Sequence, residues 1–238
     1  MNENLYAEYP EAYDALYAEK DYEGEVEFVL SQFEERVNSE SDALRALVVG
    51  CGTGEHSKRL RERGFEVVGM DKYEAMVERA RTKSDAEFRV EALPDLPVAG
   101  RFDLVWLPFT VVQHLDPDDL AAGLRACADV LADDGVLIFD QLANDGGNDP
   151  RLWTYPSDQG TYARLVQIHE VGDAEYRWDS LVFTPDGEFF VDAHRLFDHD
   201  PEYLAGVCDV LGLSLDLYGW YDEDAEPGED GHYVFVAS

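Results

Sequence analysis

The chain has 238 residues, 45% of them hydrophobic, which suits one large core carrying an insertion. Fifty-two acidic residues face 18 basic ones, a formal net charge of −34. That balance argues against nucleic acid as a partner, because its recognition rests on clustered Lys and Arg.

The chain begins "MNENLYAEYPEAYDALY", which lacks the basic start and apolar centre of a secretory signal. No apolar run approaches the length of a membrane span. Cys51, Cys127 and Cys208 lie far apart, are odd in number and lack metal-ligand spacing. A reducing, cytoplasmic setting without membrane attachment is the expectation. Residues 10–37 carry an amphipathic helical pattern, so 1–40 is expected to be an N-terminal helical segment. From 44 to 142, apolar β-rich runs alternate with helical patterns. The strands are expected at 46–50, 65–71, 86–92, 101–109 and 136–142. The helices are expected at 56–64 and 73–83, and over 116–135, with Gly135 as the stop of the last. This is an α/β pattern, a parallel sheet covered on both faces. Residues 150–198 change character. Three runs of alternating residues and the turn "TPDG" (184–187) predict an inserted antiparallel β meander. Residues 200–238 return to the core with a helix at 201–212 and two last strands. The acidic loop 223–231 between those strands is expected to be mobile. All of this fits a single domain over 1–238, with no oligomeric state implied.

The chemistry is signalled by "LVVGCGTGEH" (47–56), a strand running into a glycine-rich turn and then a helix. Such a loop lets a nucleotide approach the backbone closely, and the following helix offers free N–H groups. Its G-x-G-x-G spacing differs from that of dinucleotide and phosphate loops. Asp71 ends the next strand, where a carboxylate accepts two hydrogen bonds from a ribose diol. One strand further on, Glu91 can accept from the exocyclic amine of adenine, and Ala92 can offer its N–H to the ring.

The run "LVVGCGTGEHSKRLRERGFEVVGMDKYEAMVERAR" resembles motifs I and II of class I S-adenosylmethionine-dependent methyltransferases. "FDLVWLPFTVVQHL" and "LRACADVLADDGVLIFD" resemble their fourth-strand and fifth-strand segments. "YDALYAEKDYEGEVEFV" and "HRLFDHDPEYLAGVCDVLGLSLDLYGWYD" are similar to small-molecule members, the glycine and amino-sugar N-methyltransferase-like group. Acid-rich, lysine-poor composition also resembles proteins of salt-loving microbes. The family resemblance implies a Rossmann-like seven-stranded sheet whose last strand is antiparallel, with helices on both faces. It implies S-adenosylmethionine as cofactor, bound over 44–142, and methyl transfer to a small-molecule acceptor, to nitrogen more than oxygen. Gly50, Cys51, Gly52, Thr53 and Gly54 would hold the amino-acid end of the donor, with Cys51 a small filler. Lys72 and Met76 would flank the adenine. Leu107, Pro108 and Phe109, ending the fourth strand, would face the methyl group and the acceptor.

Two residues are catalytic candidates. His114 follows the fourth strand, where a neutral imidazole accepts a proton. Tyr13, in the part resembling a lid, would close over the sulfonium. Tyr6, Tyr9 and Tyr17 at the same spacing are expected to pack. Trp153, Tyr155, Tyr162, Tyr176, Trp178, His194 and Arg195 lie in the meander, and Arg195 is placed on the acceptor pocket. The six histidines are scattered without H-E-x-x-H, so no metal is expected. A non-catalytic donor-binding protein and a nicotinamide-dependent oxidoreductase are the alternatives.

Overall fold

The computed structural model describes residues 3–37, 43–143, 149–228 and 231–238. The chain runs α1 (Asn4–Ala7), α2 (Pro10–Leu16), α3 (Tyr22–Arg36), β1 (Arg45–Val49), α4 (Glu55–Glu62), β2 (Glu66–Asp71), α5 (Glu74–Arg81), β3 (Glu87–Val90) and β4 (Phe102–Leu107). A 3₁₀ turn at Val111–His114 leads to α6 (Pro117–Asp129) and β5 (Leu131–Leu142). Then come β6 (Arg151–Ser157), β7 (Gly160–Gly172), β8 (Glu175–Phe183), β9 (Phe189–Phe197), α7 (Pro201–Val210), β10 (Leu215–Tyr218) and β11 (His232–Ala237).

Seven strands form one sheet in the order β10-β11-β5-β4-β1-β2-β3. The pairings from β3 through β5 are parallel, while β11 runs antiparallel to both β5 and β10. The chain moves outward from β1 to β3, then crosses back to β4 on the other side of β1. That reversal opens a crevice at the carboxyl ends of β1 and β4, where ligands of open α/β sheets sit. Alternate residues of each strand are apolar on opposite faces, which produces two cores. Ala46, Val48, Leu104 and Trp106 pack with Val26, Val29 and Phe33 of α3 and with Leu60 of α4. Leu47, Val49, Val105 and Leu107 pack with Leu120 and Leu124 of α6 and with Leu204 of α7. No helix among the described residues is long and apolar enough to cross a membrane. All three cysteines are buried free thiols.

The N-terminal segment departs from the single helical pattern expected over 10–37. Pro10 opens α2. Asp21 caps α3, accepting a hydrogen bond from the Gly24 N–H at 2.9 Å. The two parts do different things. Leu5, Ala12 and Leu16 pack on Tyr162, Val182 and Phe190 of the meander, whereas α3 covers the sheet. Helix α6 also ends before Gly135, at Asp129. Leu131 turns into the core to start β5, and the register slips between Phe102 and Leu104 to absorb the residues up to Val136. Arg101 holds this corner through the carbonyls of Asp129 and Leu131, both at 2.8 Å. The meander has four strands, not three, in the order β6-β7-β8-β9. Strand β6 is mostly exposed and lacks the alternation that marks a half-buried strand. Of the acidic loop 223–231, residues 229 and 230 lie outside the described residues.

Candidate active site

A cavity of about 250 Å³ opens at the crevice. Its floor is Val49, Gly50, Gly52 and Asp71, and one flank is Lys72, Met76, Glu91 and Ala92. Pro108, Phe109, Val111 and His114 form the opposite wall, and Tyr6 and Tyr13 form the roof.

The three loop glycines all take left-handed dihedrals, φ +67° at Gly50, +53° at Gly52 and +87° at Gly54. Each meets different surroundings. A Cβ at Gly50 would lie 2.3 Å from Val111 Cγ2, and one at Gly54 would lie 2.8 Å from Ala80 Cβ. These two glycines let the loop pack against the protein. At Gly52 the nearest atom to such a Cβ would be the Tyr13 hydroxyl, 3.7 Å away. Its bare face therefore looks into the cavity. Gly52→Ala is expected to fold, since the left-handed conformation costs an L-residue only about 1–2 kcal/mol, yet the new methyl occupies ligand space. Gly50→Ala is expected to damage the fold itself. Thermal melting beside calorimetric titration with S-adenosylhomocysteine separates the two: Gly52→Ala should melt within a few degrees of the parent and bind at least tenfold more weakly. Equal affinity in that variant would remove Gly52 from the site.

Asp71 joins the loop to the next strand. Its Oδ2 accepts from the Gly52 N–H at 2.9 Å and its Oδ1 from the Tyr73 N–H at 3.0 Å. Burial pushes its carboxyl up to about 6, against the pull of the Gly52 N–H and of the charge and backbone N–H of Lys72. The Glu91 N–H donates to the Asp71 carbonyl at 3.1 Å, which brings the ends of β2 and β3 together.

Other residues of the expected cradle fall outside the cavity lining. The Cys51 side chain is in the core beside Gly69, where burial raises its thiol far above the ordinary range. It is a filler, not a nucleophile. Thr53 faces the junction of α2, α4 and α5. Its hydroxyl accepts from Lys83 at 3.0 Å, and Lys83 also bonds Asp14 at 2.6 Å and Glu55 at 2.9 Å. Thr53 thus helps latch α2 onto the sheet. Gly54 packs on Ala80, and Leu107 is fully buried in the second core.

On the acceptor side, Phe109 and Thr110 both have positive φ, 59° and 64°, which is uncommon for residues with side chains. Asp140 on β5 holds them. It is fully buried and accepts from the Phe109 N–H at 2.6 Å, from the Thr110 N–H at 2.5 Å and from the Tyr221 hydroxyl. Sequence reading passed over Asp140. The available signal was a carboxylate in an otherwise apolar strand, which must be partnered when buried.

His114 faces the cavity, and its ring has no hydrogen-bond partner among the described residues. Burial, then His194 and Lys72, lowers its affinity for a proton to a pKa of about 3. The ring is neutral at working pH, a hydrogen-bond acceptor but a feeble base. The rings of Tyr6 and His194 lie 6.0 and 5.7 Å from it. Tyr9 stacks on Phe190 at 3.9 Å, and Tyr17 meets Phe109 edge-on at 5.0 Å. Tyr6 and Tyr13 thus border the cavity, while Tyr9 and Tyr17 pack beside it.

Arg195 requires a correction. It lies on the outer face of the meander, exposed and paired with Glu175 at 2.5 and 2.8 Å, far from any acceptor role. Strand parity is the reason. On β9 the even-numbered residues Asp192, His194 and Leu196 point inward, so the neighbouring odd positions point out. His194 is the inward residue, 3% exposed, with Nε2 2.7 Å from Asp192 Oδ2. Burial opposes a charge on His194, but Asp192 and Glu3 outweigh it and raise its proton affinity.

A methyltransferase-domain family model matches residues 46–135, from β1 into the first half of β5. A putative methyltransferase of Geobacillus sp. (strain WCH70) is 31% identical over 134 residues, covering 54% of this chain and 53% of the relative. The glycine/sarcosine/dimethylglycine N-methyltransferase of Actinopolyspora halophila is 27% identical over 242 residues, covering 94% of this chain and 40% of that protein. The chain spans about half the length of the first curated relatives it matches. Among solved structures, the sugar N-methyltransferase KedS8 from Streptoalloteichus sp ATCC 53650 superimposes with a TM-score of 0.76 at 25% identity, over 94% of this chain and 92% of that one.

Proposed function

We propose that the chain is an S-adenosylmethionine-dependent methyltransferase that methylates a small-molecule amine, a reading supported by the methyltransferase-domain match over residues 46–135 and by the fold shared with solved methyltransferases. The observation that supports this most directly is the convergence in one cavity of the open Gly52, the Asp71 carboxylate and a histidine-bearing wall. The residues fit the cofactor. Gly50 and Gly52 offer bare backbone, Asp71 a ribose acceptor, and Met76 and the Glu91–Ala92 turn an adenine flank. When bound, the cofactor supplies an already activated methyl group. The chain's own contribution is placement and exclusion of water. Tyr6 and Tyr13 roof the cavity, and Phe109, clamped by Asp140, sets its acceptor wall.

Nitrogen is favoured over oxygen by the character of His114. A hydroxyl needs a base strong enough to take its proton as it attacks, and an imidazole with a pKa of about 3 is not one. A neutral amine attacks with its own lone pair and needs only orientation, which the wall carrying His114 and Phe109 provides. The N-methyltransferases among the similar proteins point the same way. The acid-rich surface is reason to run the assays in molar salt, where its self-repulsion is screened.

The test has two stages. Calorimetric titration with S-adenosylmethionine and S-adenosylhomocysteine should show binding, and labelled donor should then transfer its methyl to members of a panel of primary and secondary amines. His114→Gln should keep donor affinity within about twofold and lose roughly 10²-fold in turnover through misplacement of the acceptor. Absence of donor binding overturns the reading. Binding with no transfer to any amine or hydroxyl favours a donor-binding regulator.

A further inference from the structure

His194 poses a problem that the methyl-transfer reading leaves open. It is 3% exposed, and both its ring nitrogens, Nδ1 and Nε2, are buried with no hydrogen-bond partner among the described residues. Buried imidazole nitrogens are seldom left so, and each exception calls for a physical reason. Glu3 Oε1 lies across the gap from Nδ1 at 4.0 Å, too long for a hydrogen bond. A ring nitrogen of His114, also without a hydrogen-bond partner among the described residues, completes a triangle. One ligand atom from each of Glu3, His114 and His194 lies within 4.8 Å of the other two.

We propose that Glu3, His114 and His194 are the ligands of a divalent transition-metal ion seated beside the acceptor wall of the cavity. The donor set is two imidazoles and one carboxylate, which suits zinc, cobalt or iron(II) and does not suit magnesium or calcium. The surroundings are those of a ligating histidine. Such a ring donates its second N–H to a carboxylate, which fixes its orientation. Here His194 Nε2 sits 2.7 Å from Asp192 Oδ2, close enough to donate once the ring turns onto it, and Asp192 is fully buried, anchored by the Leu5 N–H on Oδ1 at 2.9 Å and by Arg164 at 3.7 Å from Oδ2. Glu3 is likewise held from behind. Its Oε2 accepts from Lys72 Nζ at 3.1 Å and from the Tyr73 hydroxyl, leaving Oε1 toward the histidines. Metal–nitrogen bonds of about 2.0–2.1 Å would require the three groups to close in by roughly an ångström. Glu3 precedes α1 and can supply most of that movement.

The consequence for substrate choice rests on the methyl-transfer reading. A cation on this wall would hold an oxygen of the acceptor, because a coordinated amine would lose its lone pair. The acceptor class is then an amine with a neighbouring hydroxyl or carboxylate oxygen.

The metal site itself is tested without any transfer assay. Tag-free full chain is stripped with chelator, dialysed into molar potassium chloride with excess magnesium to occupy surface carboxylates, and titrated with zinc chloride by calorimetry. Cobalt(II) is followed in parallel by its visible ligand-field absorption. The expected result is one equivalent bound, with the low-coordinate cobalt spectrum of nitrogen ligation. His194→Ala and His114→Ala should abolish it, and Asp192→Asn should weaken it about 10- to 100-fold. His169→Ala, on a half-buried histidine beside Asp179, should bind like the parent. Circular dichroism and thermal melting of each variant verify that it is folded, and S-adenosylhomocysteine titration reports separately on the donor site. No zinc binding by the parent, or equal binding by a folded His194→Ala variant, overturns the metal site whatever the donor does.

Discussion

Asp71→Asn is expected to weaken S-adenosylhomocysteine binding about 10²-fold while leaving the fold intact. Asp71 sits at the cavity floor with two oxygens already turned toward the Gly52 and Tyr73 N–H groups. Remaining lone pairs on the same oxygens are what a ribose diol would use. Hydrogen bonds to a charged acceptor contribute about 1.5–3 kcal/mol each, and every 1.4 kcal/mol is tenfold in affinity. Asparagine retains one acceptor oxygen, so it can keep a backbone contact but not the paired, charged arrangement. The pH dependence gives a second readout. The carboxyl of the donor-free protein titrates at about 6, raised from an ordinary 3.8 mainly by burial. The folded chain therefore holds this proton more tightly than the unfolded chain does. The stability linked to it is fully present below the unfolded value and is lost as pH rises through 6. A ribose diol reverses the preference, because it donates to the ionised form. Affinity for the nucleoside should fall about tenfold from pH 7 to pH 5 as the proton competes, and level off above 7. In Asp71→Asn this dependence should vanish. A parent protein whose affinity is flat across that range, or a variant that binds as tightly, takes the carboxylate out of the donor site.

What could be read from the chain, and what could not, divides by the range over which each signal acts. The glycine loop and Asp71 are both strand-end features. The sequence places them by local pattern alone, and the sheet merely sets β1 beside β2. Each strand between 44 and 142 is legible in the same way, as an apolar run with its own turn, whereas the seven-stranded sheet with its antiparallel last strand was implied by the family resemblance, because local pattern does not say which strands are neighbours. The acceptor side depends on register and parity instead. His194 and Arg195 are adjacent, and one of them must face in. The run "EFFVDAHRLF" offers apolar residues at both parities, with Phe189 exposed and Phe190 buried, so periodicity could not choose. The choice is made by packing, with Phe190 stacked on Tyr9 and Asp192 taking the Leu5 N–H. Both partners lie in the N-terminal helices, remote in sequence. The cluster of Glu3, His114 and His194 was invisible for the same reason: three segments with no shared spacing meet only after α1 docks on β9. Helix α6 was overextended because Gly135 looks like a stop. The true stop is Leu131, whose apolar side chain is needed in the core.

Asp140→Ala should be the most destabilising of the substitutions considered, and should also disable the acceptor wall. Its carboxylate satisfies two successive backbone N–H groups and the Tyr221 hydroxyl in a fully buried setting. Each donor left unpaired there costs about 1–3 kcal/mol. Phe109 and Thr110 would also lose what holds them at positive φ, and the stretch from Pro108 to Thr110 would relax toward ordinary dihedrals. A loss of about 4 kcal/mol corresponds to roughly 8–16 °C in melting temperature for a chain of this size. Asp140→Asn tests the interpretation more finely. Its oxygen can serve one N–H, but its amide group would point donors at a donor, so it should recover only part of the loss. Tyr221→Phe removes a single partner and leaves Trp106 Nε1, now 3.2 Å from the hydroxyl, without one. It should cost about 1–2 kcal/mol. The ranking Tyr221→Phe, then Asp140→Asn, then Asp140→Ala is therefore expected in thermal melts. The functional signature should differ from that of Asp71. Where folded material survives, Asp140 variants should keep much of their nucleoside affinity, because the glycine loop and Asp71 are untouched, and lose turnover, because Phe109 no longer sets the distance to the acceptor. An Asp140→Ala protein that melts with the parent, or that loses nucleoside affinity as steeply as Asp71→Asn, would show that the clamp does not work as described.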